Sequence, residues 1–156
     1  RSTLWSKAFG RIVPMVGTAN IRYLEVDQDH VVVRLENQRN MQNHIKGVHA
    51  AAMALLAETA TGFLTGLHVP DNRILLIKSL HVDYLKVVQG GLTATATLSP
   101  EQQKFIADNE KGELLFNVLD DEMMPKIYKE YIYSKLIEII LNNKKTSYMS
   151  VMFFIV

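Results

Sequence analysis

Residues 48–67 carry the strongest helical pattern in the chain. Alanine, leucine and methionine, which favour helices intrinsically, dominate the stretch VHAAAMALLAETATGFLTGL. Its side chains are small or apolar on nearly every side, as in a helix that other elements bury on several faces. The single acid, Glu58, lies near one line of the helical wheel with small residues, namely Ala51, Ala54, Thr61 and Thr65.

A carboxyl group in such a helix is expected to be largely removed from water. Burial disfavours the charged form and raises the pKa of a carboxyl group, and acids perturbed in this way collect at functional sites. The pattern therefore makes Glu58 a candidate for chemistry. A second interpretation stays open, in which Glu58 reaches the edge of the helix and pairs with a lysine in solvent.

The segment before this helix predicts one short helix and two strands. Residues 4–13 have an amphipathic pattern that closes at Pro14 and Gly17. Residues 18–27 and 30–37 are rich in strand-forming side chains and flank a turn at 27–29. Residues 38–47 are polar and without a clear period, which indicates a loop.

The segment after the helix predicts three or four strands up to residue 136, and the residues beyond it fit helix or strand about equally well. Residues 73–88 follow a turn at 70–72, and Gly90-Gly91 predicts a hairpin into the alternating strand 92–99. Shorter runs follow at 105–108, 113–120 and 126–136. One helix enclosed by antiparallel strands is an α+β layout. We expect a single domain over residues 1–136, followed by a C-terminal tail at 137–156 whose structure the sequence leaves open.

Composition excludes several classes of function. The chain of 156 residues has 17 basic and 16 acidic side chains, so it lacks the basic excess typical of nucleic-acid binding. Cysteine is absent, which excludes thiolate chemistry and is compatible with a cytoplasmic location. No apolar run approaches the roughly 20 residues that span a bilayer. The spacing of His44 and His49 does not suit a zinc site, so we expect no metal.

The start of the helix is a second candidate for chemistry. Around Gly47, His49 and Ala50, the first backbone N–H groups lack partners within the helix and carry the positive end of its dipole. Such groups suit a phosphate or a developing oxyanion. His49 and Glu58 differ by nine residues, which is a net half turn around the helix. Two antiparallel helices across a two-fold axis could bring both features to one substrate.

The spacing of Asn43, His49 and Glu58 resembles the pattern N-x5-H-[GA]-[GA]-x6-[DE] of hotdog-fold acyl-CoA thioesterases, on the phenylacetate-pathway-like branch. The flanking runs IVPMVGTANIRYLEV and LHVDYLKVVQGGLTATATL extend the resemblance over about residues 10–120. It implies a hotdog fold, in which a curved antiparallel sheet wraps a long central helix, and a cytoplasmic homodimer or homotetramer.

The resemblance also implies roles for individual residues. Backbone N–H groups around Gly47, His49 and Ala50 would polarise the thioester carbonyl of an acyl-CoA or acyl-carrier substrate. Asn43 would orient that carbonyl or the attacking water, and His49 would order the helix start. Glu58 of the partner chain would act as general base or nucleophile. Coenzyme A would enter as part of the substrate, and no other cofactor is implied.

Two departures from the family pattern keep alternatives open. The family often has His-Gly-Gly where this chain has His49-Ala50-Ala51, and often Asp at the position of Glu58. The methyl group of alanine narrows the oxyanion corner, which favours a non-catalytic hotdog module that binds an acyl-CoA or lipid ligand. A dehydratase is a third possibility within the fold, although no matching His-and-acid motif supports it.

Overall fold

The computed structural model describes residues 2–84, 88–109, 112–118, 139–141 and 147–155. The helices are α1 (Ser2–Ile12), α2 (Pro14–Thr18), α3 (Ala50–Gly66) and α4 (Pro100–Asp108), with a 3₁₀ turn at Arg39–Met41. The strands are β1 (Arg22–Val26), β2 (His30–Leu35), β3 (Leu75–Tyr84), β4 (Leu92–Thr97), β5 (Gly112–Val118), β6 (Ile139–Leu141) and β7 (Ser147–Ile155).

Helix α3 lies against both sheets of the molecule. It contacts β2 and β4 of one sheet and β3 and β7 of the other. In β2 and β4 every second side chain is buried, as expected for strands with one face on a core. The alanines of β4, Ala94 and Ala96, are fully buried, and their small size lets the sheet approach the helix. The predicted α+β layout with a long central helix is confirmed.

All described strand pairs are antiparallel and form two sheets. The first has the order β1-β2-β4-β6 and the second the order β3-β7-β5. The turn at 27–29 joins β1 and β2 as predicted, since Asp27 N–H donates to the carbonyl of His30. The hairpin predicted at Gly90-Gly91 is wrong, because β4 pairs with β2 and β6 whereas β3 pairs with β7.

Two helical features differ from the prediction. Pro14 ends α1 but also begins α2, where a proline at the first helical position loses no intrahelical hydrogen bond. Residues 105–108 belong to α4, where the sequence predicted no helix. Ser99 caps α4, because its hydroxyl accepts from Gln102 N–H while the Gln102 side chain accepts from Ser99 N–H.

The C-terminal tail contributes strands to both sheets. β6 extends the first sheet beside β4, and β7 lies between β3 and β5 as the central strand of the second sheet. The strand predicted at 126–136 lies outside the described residues. In the described part of the chain, no helix combines the length and the apolar character needed to cross a bilayer.

Candidate active site at the central helix

His49 caps the N-terminus of α3. Its backbone is extended (φ −66°, ψ 141°), and its ring Nδ1 accepts a hydrogen bond from Ala51 N–H at 3.1 Å. Since Nδ1 is the acceptor, the neutral ring carries its proton on Nε2. His49 N–H donates to the carbonyl of Met41 at 2.8 Å, which ties the helix start to the preceding loop.

Asn43 organises the loop that leads into α3. Its side-chain oxygen accepts from Ile45 N–H at 3.1 Å and from Gly47 N–H at 3.0 Å. Lys46 has a positive φ of 62°, which closes the loop. A Cβ on Gly47 would lie 2.7 Å from the carbonyl oxygen of Val88, so only glycine fits there. The side-chain oxygen of Asn43 and the N–H of Gly47 are thus already hydrogen-bonded to each other within the loop.

Ala50 is left as the donor at the helix start. The N–H groups of Ala51 and Ala52 donate to the ring and to the carbonyl of His49, respectively. For Ala50 N–H, the described residues provide no acceptor. The carbonyl of Ala50 accepts from the Tyr84 hydroxyl at 2.9 Å, which anchors the helix start to β3. An N–H at the first helical position points away from the helix body and can meet an anion.

Glu58 lies midway along α3 and is partly buried. Removal from water raises the pKa of its carboxyl group above the ordinary value of 4.5. The lysine pair considered from the sequence is not observed, because no ion pair in the described part of the chain involves Glu58. A carboxylate with a raised pKa and no cationic partner among the described residues is a stronger base than an exposed one, which suits it to accept a proton.

The side chain of Glu58 lines a cleft of about 350 Å³. One wall is α3, which contributes Glu58, Thr59, Gly62 and Phe63, and the opposite walls come from the α1–α2 segment and from the start of β3. Among the described lining residues, only Glu58 and Thr59 have hydrogen-bonding side chains; the others are Phe9, Val13, Val16, Gly62, Phe63, Leu75, Leu76 and Ile77. The cleft is therefore an apolar groove with a carboxyl group in its wall.

Aromatic rings fix the floor behind this cleft. Phe9 and Phe63 pack edge to face with ring centroids 4.5 Å apart, and Tyr23 lies 4.7 Å from Phe63. Tyr23 is fully buried, and its hydroxyl has no hydrogen-bond partner among the described residues. Burial, and secondarily the charge of Glu58, raise the pKa of Tyr23. The sequence did not single out Phe9, Tyr23 or Thr59, because only tertiary packing brings them beside Glu58.

The structure separates the predicted site residues into two groups. Asn43, Gly47, His49 and Ala50 surround the helix start, whereas Glu58 is eight residues beyond Ala50, which corresponds to about 12 Å along the axis. A single chain does not bring the two groups to one reacting atom. Within the described residues, no cluster of three histidine, aspartate or glutamate side chains could hold a metal ion.

The sequence matches one domain family over most of its length. Residues 1–124 match DUF4442, a domain of unknown function. The chain belongs to the DUF4442 family. Among curated proteins, none matches the sequence.

Solved structures similar to this DUF4442 chain include several thioesterases. PA5026 of Pseudomonas aeruginosa, described as a protein of unknown function and probable thioesterase, has a TM-score of 0.72 at 15% identity, covering 99% of this chain and 95% of that one. A mutant of the thioesterase PA1618, also from Pseudomonas aeruginosa, has a TM-score of 0.67 at 12% identity, with coverages of 97% and 91%. The thioesterase HI1161 of Haemophilus influenzae has a TM-score of 0.63 at 12% identity, with coverages of 91% and 82%.

These likenesses establish the fold of the DUF4442 chain. The predicted hotdog fold is confirmed, and with it the structural resemblance to hotdog-fold thioesterases. The narrower assignment to the phenylacetate-pathway-like branch stays a prediction, as do the roles of Asn43, Gly47, His49, Ala50 and Glu58.

Proposed function

We propose that this protein hydrolyses thioesters of the acyl-CoA type. The observation that carries the proposal is Glu58, a partly buried carboxyl group with a raised pKa in the wall of an apolar cleft. Such a group can take a proton from water that attacks the thioester carbonyl, or attack that carbonyl itself. The apolar lining suits an acyl group, and coenzyme A enters only as part of the substrate.

The start of α3 would hold the oxyanion. Ala50 N–H has no acceptor among the described residues and sits at the positive end of the helix dipole. One such donor contributes about 3 kcal/mol to the stabilisation of the transition state. His49 would keep Ala50 in place through its cap, and Gly47 and Asn43 would hold the loop. The side-chain NH₂ of Asn43 would then donate a hydrogen bond to the thioester carbonyl or to the attacking water.

The reacting groups would come from two protomers. Ala50 and Glu58 are separated along one helix, so an antiparallel partner helix is needed to bring them together. β3 lies at an edge of its described sheet and exposes apolar side chains, including Leu76, Ile77 and Leu80. An apolar edge strand of this kind is a natural surface for a homodimer, which could pair further into a tetramer.

The structural neighbours support the general reaction. PA1618 and HI1161 are both described as thioesterases, and this chain shares their fold. The proposal also includes a cytoplasmic location, with which a chain without cysteine is compatible.

The test is an assay of acyl-CoA hydrolysis by the wild type and by Glu58→Gln. We expect the substitution to lower kcat by at least about a hundredfold, because the amide cannot accept the proton. Glu25→Gln is the matched control, since Glu25 is exposed on β1 and should leave kcat unchanged. Equal rates for the wild type and Glu58→Gln would remove Glu58 from the mechanism. A folded dimer that hydrolyses no acyl-CoA would overturn the enzyme proposal.

A specific observation favours a second candidate, a hotdog module that binds an acyl-CoA or lipid ligand without hydrolysing it. Ala51 N–H and Gly47 N–H are already committed to His49 and Asn43, so Ala50 is left as the backbone donor for an oxyanion. Calorimetry with a non-hydrolysable thioether analogue separates the two functions. Binding of the analogue without turnover of the corresponding thioester would favour the module.

A further inference from the structure

Three buried threonines of α3 differ in how their hydroxyl groups are satisfied. Thr61 donates to the carbonyl of Ala57 at 3.0 Å, and Thr65 donates to the carbonyl of Thr61 at 2.8 Å. Both use the bond to the preceding turn that is common for threonine in a helix. Thr59 is also buried, with 5% of its surface exposed, but its hydroxyl has no hydrogen-bond partner in the part of the chain that the structure describes.

Thr59 also differs from the other two in position. It lines the cleft beside Glu58, whereas Thr61 and Thr65 do not. Buried hydroxyl groups in proteins are nearly always hydrogen-bonded. The Thr59 oxygen is itself shielded from solvent beneath the wall of the cleft, so a molecule bound in the cleft would supply the missing partner. A rotation about the Cα–Cβ bond exchanges the positions of the hydroxyl and methyl groups, so the hydroxyl can turn toward a bound molecule.

The composition of the cleft restricts what that partner can be. Of the lining residues that the structure describes, Glu58 and Thr59 have hydrogen-bonding side chains, and Glu58 is assigned to the reacting centre. The remaining lining is apolar apart from the backbone, so it accommodates hydrocarbon. Because Thr59 directly follows Glu58 on α3 and both residues line the same cleft, a group that meets Thr59 would lie only a few bonds from the thioester carbonyl.

We propose that Thr59 selects acyl groups that carry a hydroxyl close to the thioester, as in 3-hydroxyacyl thioesters, over unsubstituted acyl groups. Thr59 is then a specificity-determining residue, which leaves the chemical step to Glu58. The inference rests on the proposed function, because it concerns the acyl group in the same cleft. A hydrocarbon chain in this cleft leaves the Thr59 hydroxyl without a partner, and this difference discriminates between the substrates.

The experiment compares kcat/KM for 3-hydroxyhexanoyl-CoA and hexanoyl-CoA in the wild type, Thr59→Val and Thr65→Val. We expect the wild type to prefer the hydroxylated substrate by about tenfold and Thr59→Val to lose the preference. Thr65→Val makes the same chemical change outside the cleft and should keep it. Thermal unfolding confirms that each variant is folded, and Thr59→Ala replaces Thr59→Val if the latter is not.

A wild type without preference, or a Thr59→Val variant that retains it, would overturn the inference. If neither thioester is hydrolysed, turnover gives no measure of selectivity, and calorimetry with S-(3-hydroxyhexyl)-CoA and S-hexyl-CoA then tests Thr59 alone. Tighter binding of the hydroxylated thioether by the wild type but not by Thr59→Val supports the inference without turnover. Equal binding of the two thioethers overturns it.

Discussion

At the scale of single residues, the protonation of Glu58 should couple stability to pH. Burial raises the pKa of Glu58 in the folded protein above the ordinary value of 4.5. Between these two pKa values the folded state binds more protons than the unfolded state, so the free energy of unfolding falls as pH rises. Glu58→Gln cannot ionise and should lose this slope. We therefore expect the variant to be more stable than the wild type at neutral pH. Urea unfolding of both proteins between about pH 4 and pH 8 measures this difference.

The same titration should appear in catalysis with the opposite sign. A general base acts in its ionised form, so kcat should rise with pH through the raised pKa of Glu58. Glu25→Gln, at an exposed position, should reproduce the wild-type dependence of kcat on pH. If Glu58→Gln is less stable than the wild type at neutral pH, burial of the ionised Glu58 does not destabilise the folded protein, and the prediction is wrong.

The sequence located some residues of the site better than others. Helical spacing alone placed Glu58 in a buried helix and His49 at its start, because both follow from a regular period of the chain. An asparagine in a loop most often bonds its own backbone, and Asn43 does so. The sequence could not show which N–H groups its side-chain oxygen meets, since that depends on the local turn at Lys46. Nor could it distinguish Thr59 from Thr61, because their hydroxyl partners depend on side-chain rotation and on the packing of α1 and β3.

At the scale of elements, two glycines should respond to alanine in opposite ways. A Cβ at Gly66, the last residue of α3, would contact nothing within 4 Å. Gly66→Ala should raise the free energy of unfolding by about 0.5–1 kcal/mol, because alanine restricts the unfolded chain and favours the helix. A Cβ at Gly17 would overlap the backbone carbonyl of Gly10, where α2 crosses α1. Gly17→Ala should lower the free energy of unfolding by about 1–3 kcal/mol, because the added methyl group has no room between α1 and α2.

Urea unfolding of the two variants beside the wild type measures both effects. A destabilised Gly66→Ala would show that α3 ends differently from the observed helix. A neutral Gly17→Ala would show that α1 and α2 do not cross at these glycines.

Helices and strands with a regular hydrophobic period could be predicted from the sequence, but the strands with which they pair could not. The alternation of residues 92–97 gave β4 correctly, yet Gly90-Gly91 suggested a hairpin because glycine pairs often form tight turns. In the fold β4 instead pairs with β2, whose alternating valines share its buried face. Helix α4 was missed although Ser99 and Gln102 form a capping box, because only Phe105 and Ile106 suggested a buried face.

At the scale of the whole molecule, the C-terminal tail was the part that the sequence could not assign. Residues 147–155 are apolar and would be an aggregation hazard if exposed. The fold pairs them on both sides as β7, between β3 and β5. Pairing across such a long separation in sequence leaves no local signal, which is why periodicity gave no partner for this strand.

The strongest claim at this scale is that each active site uses two protomers, and complementation tests it. Ala50→Pro removes the N–H proposed for the oxyanion, and proline is accepted at the first position of a helix that follows an extended residue such as His49. Ala50→Pro and Glu58→Gln should each be inactive as homodimers. In a mixed dimer, one of the two sites combines an intact helix start with an intact Glu58.

In an equimolar mixture with random exchange of protomers, half of the dimers are mixed, and each mixed dimer has one working site of two. The mixture should therefore recover about a quarter of the wild-type activity per protomer. The measurement is the hydrolysis rate after mixing, with protomer exchange verified by affinity tags and each variant mixed with itself as the control. Full activity of Ala50→Pro alone would remove its N–H from the mechanism. Verified exchange without recovered activity would mean that the helix start and Glu58 do not act together across the dimer, and the shared site would have to be abandoned.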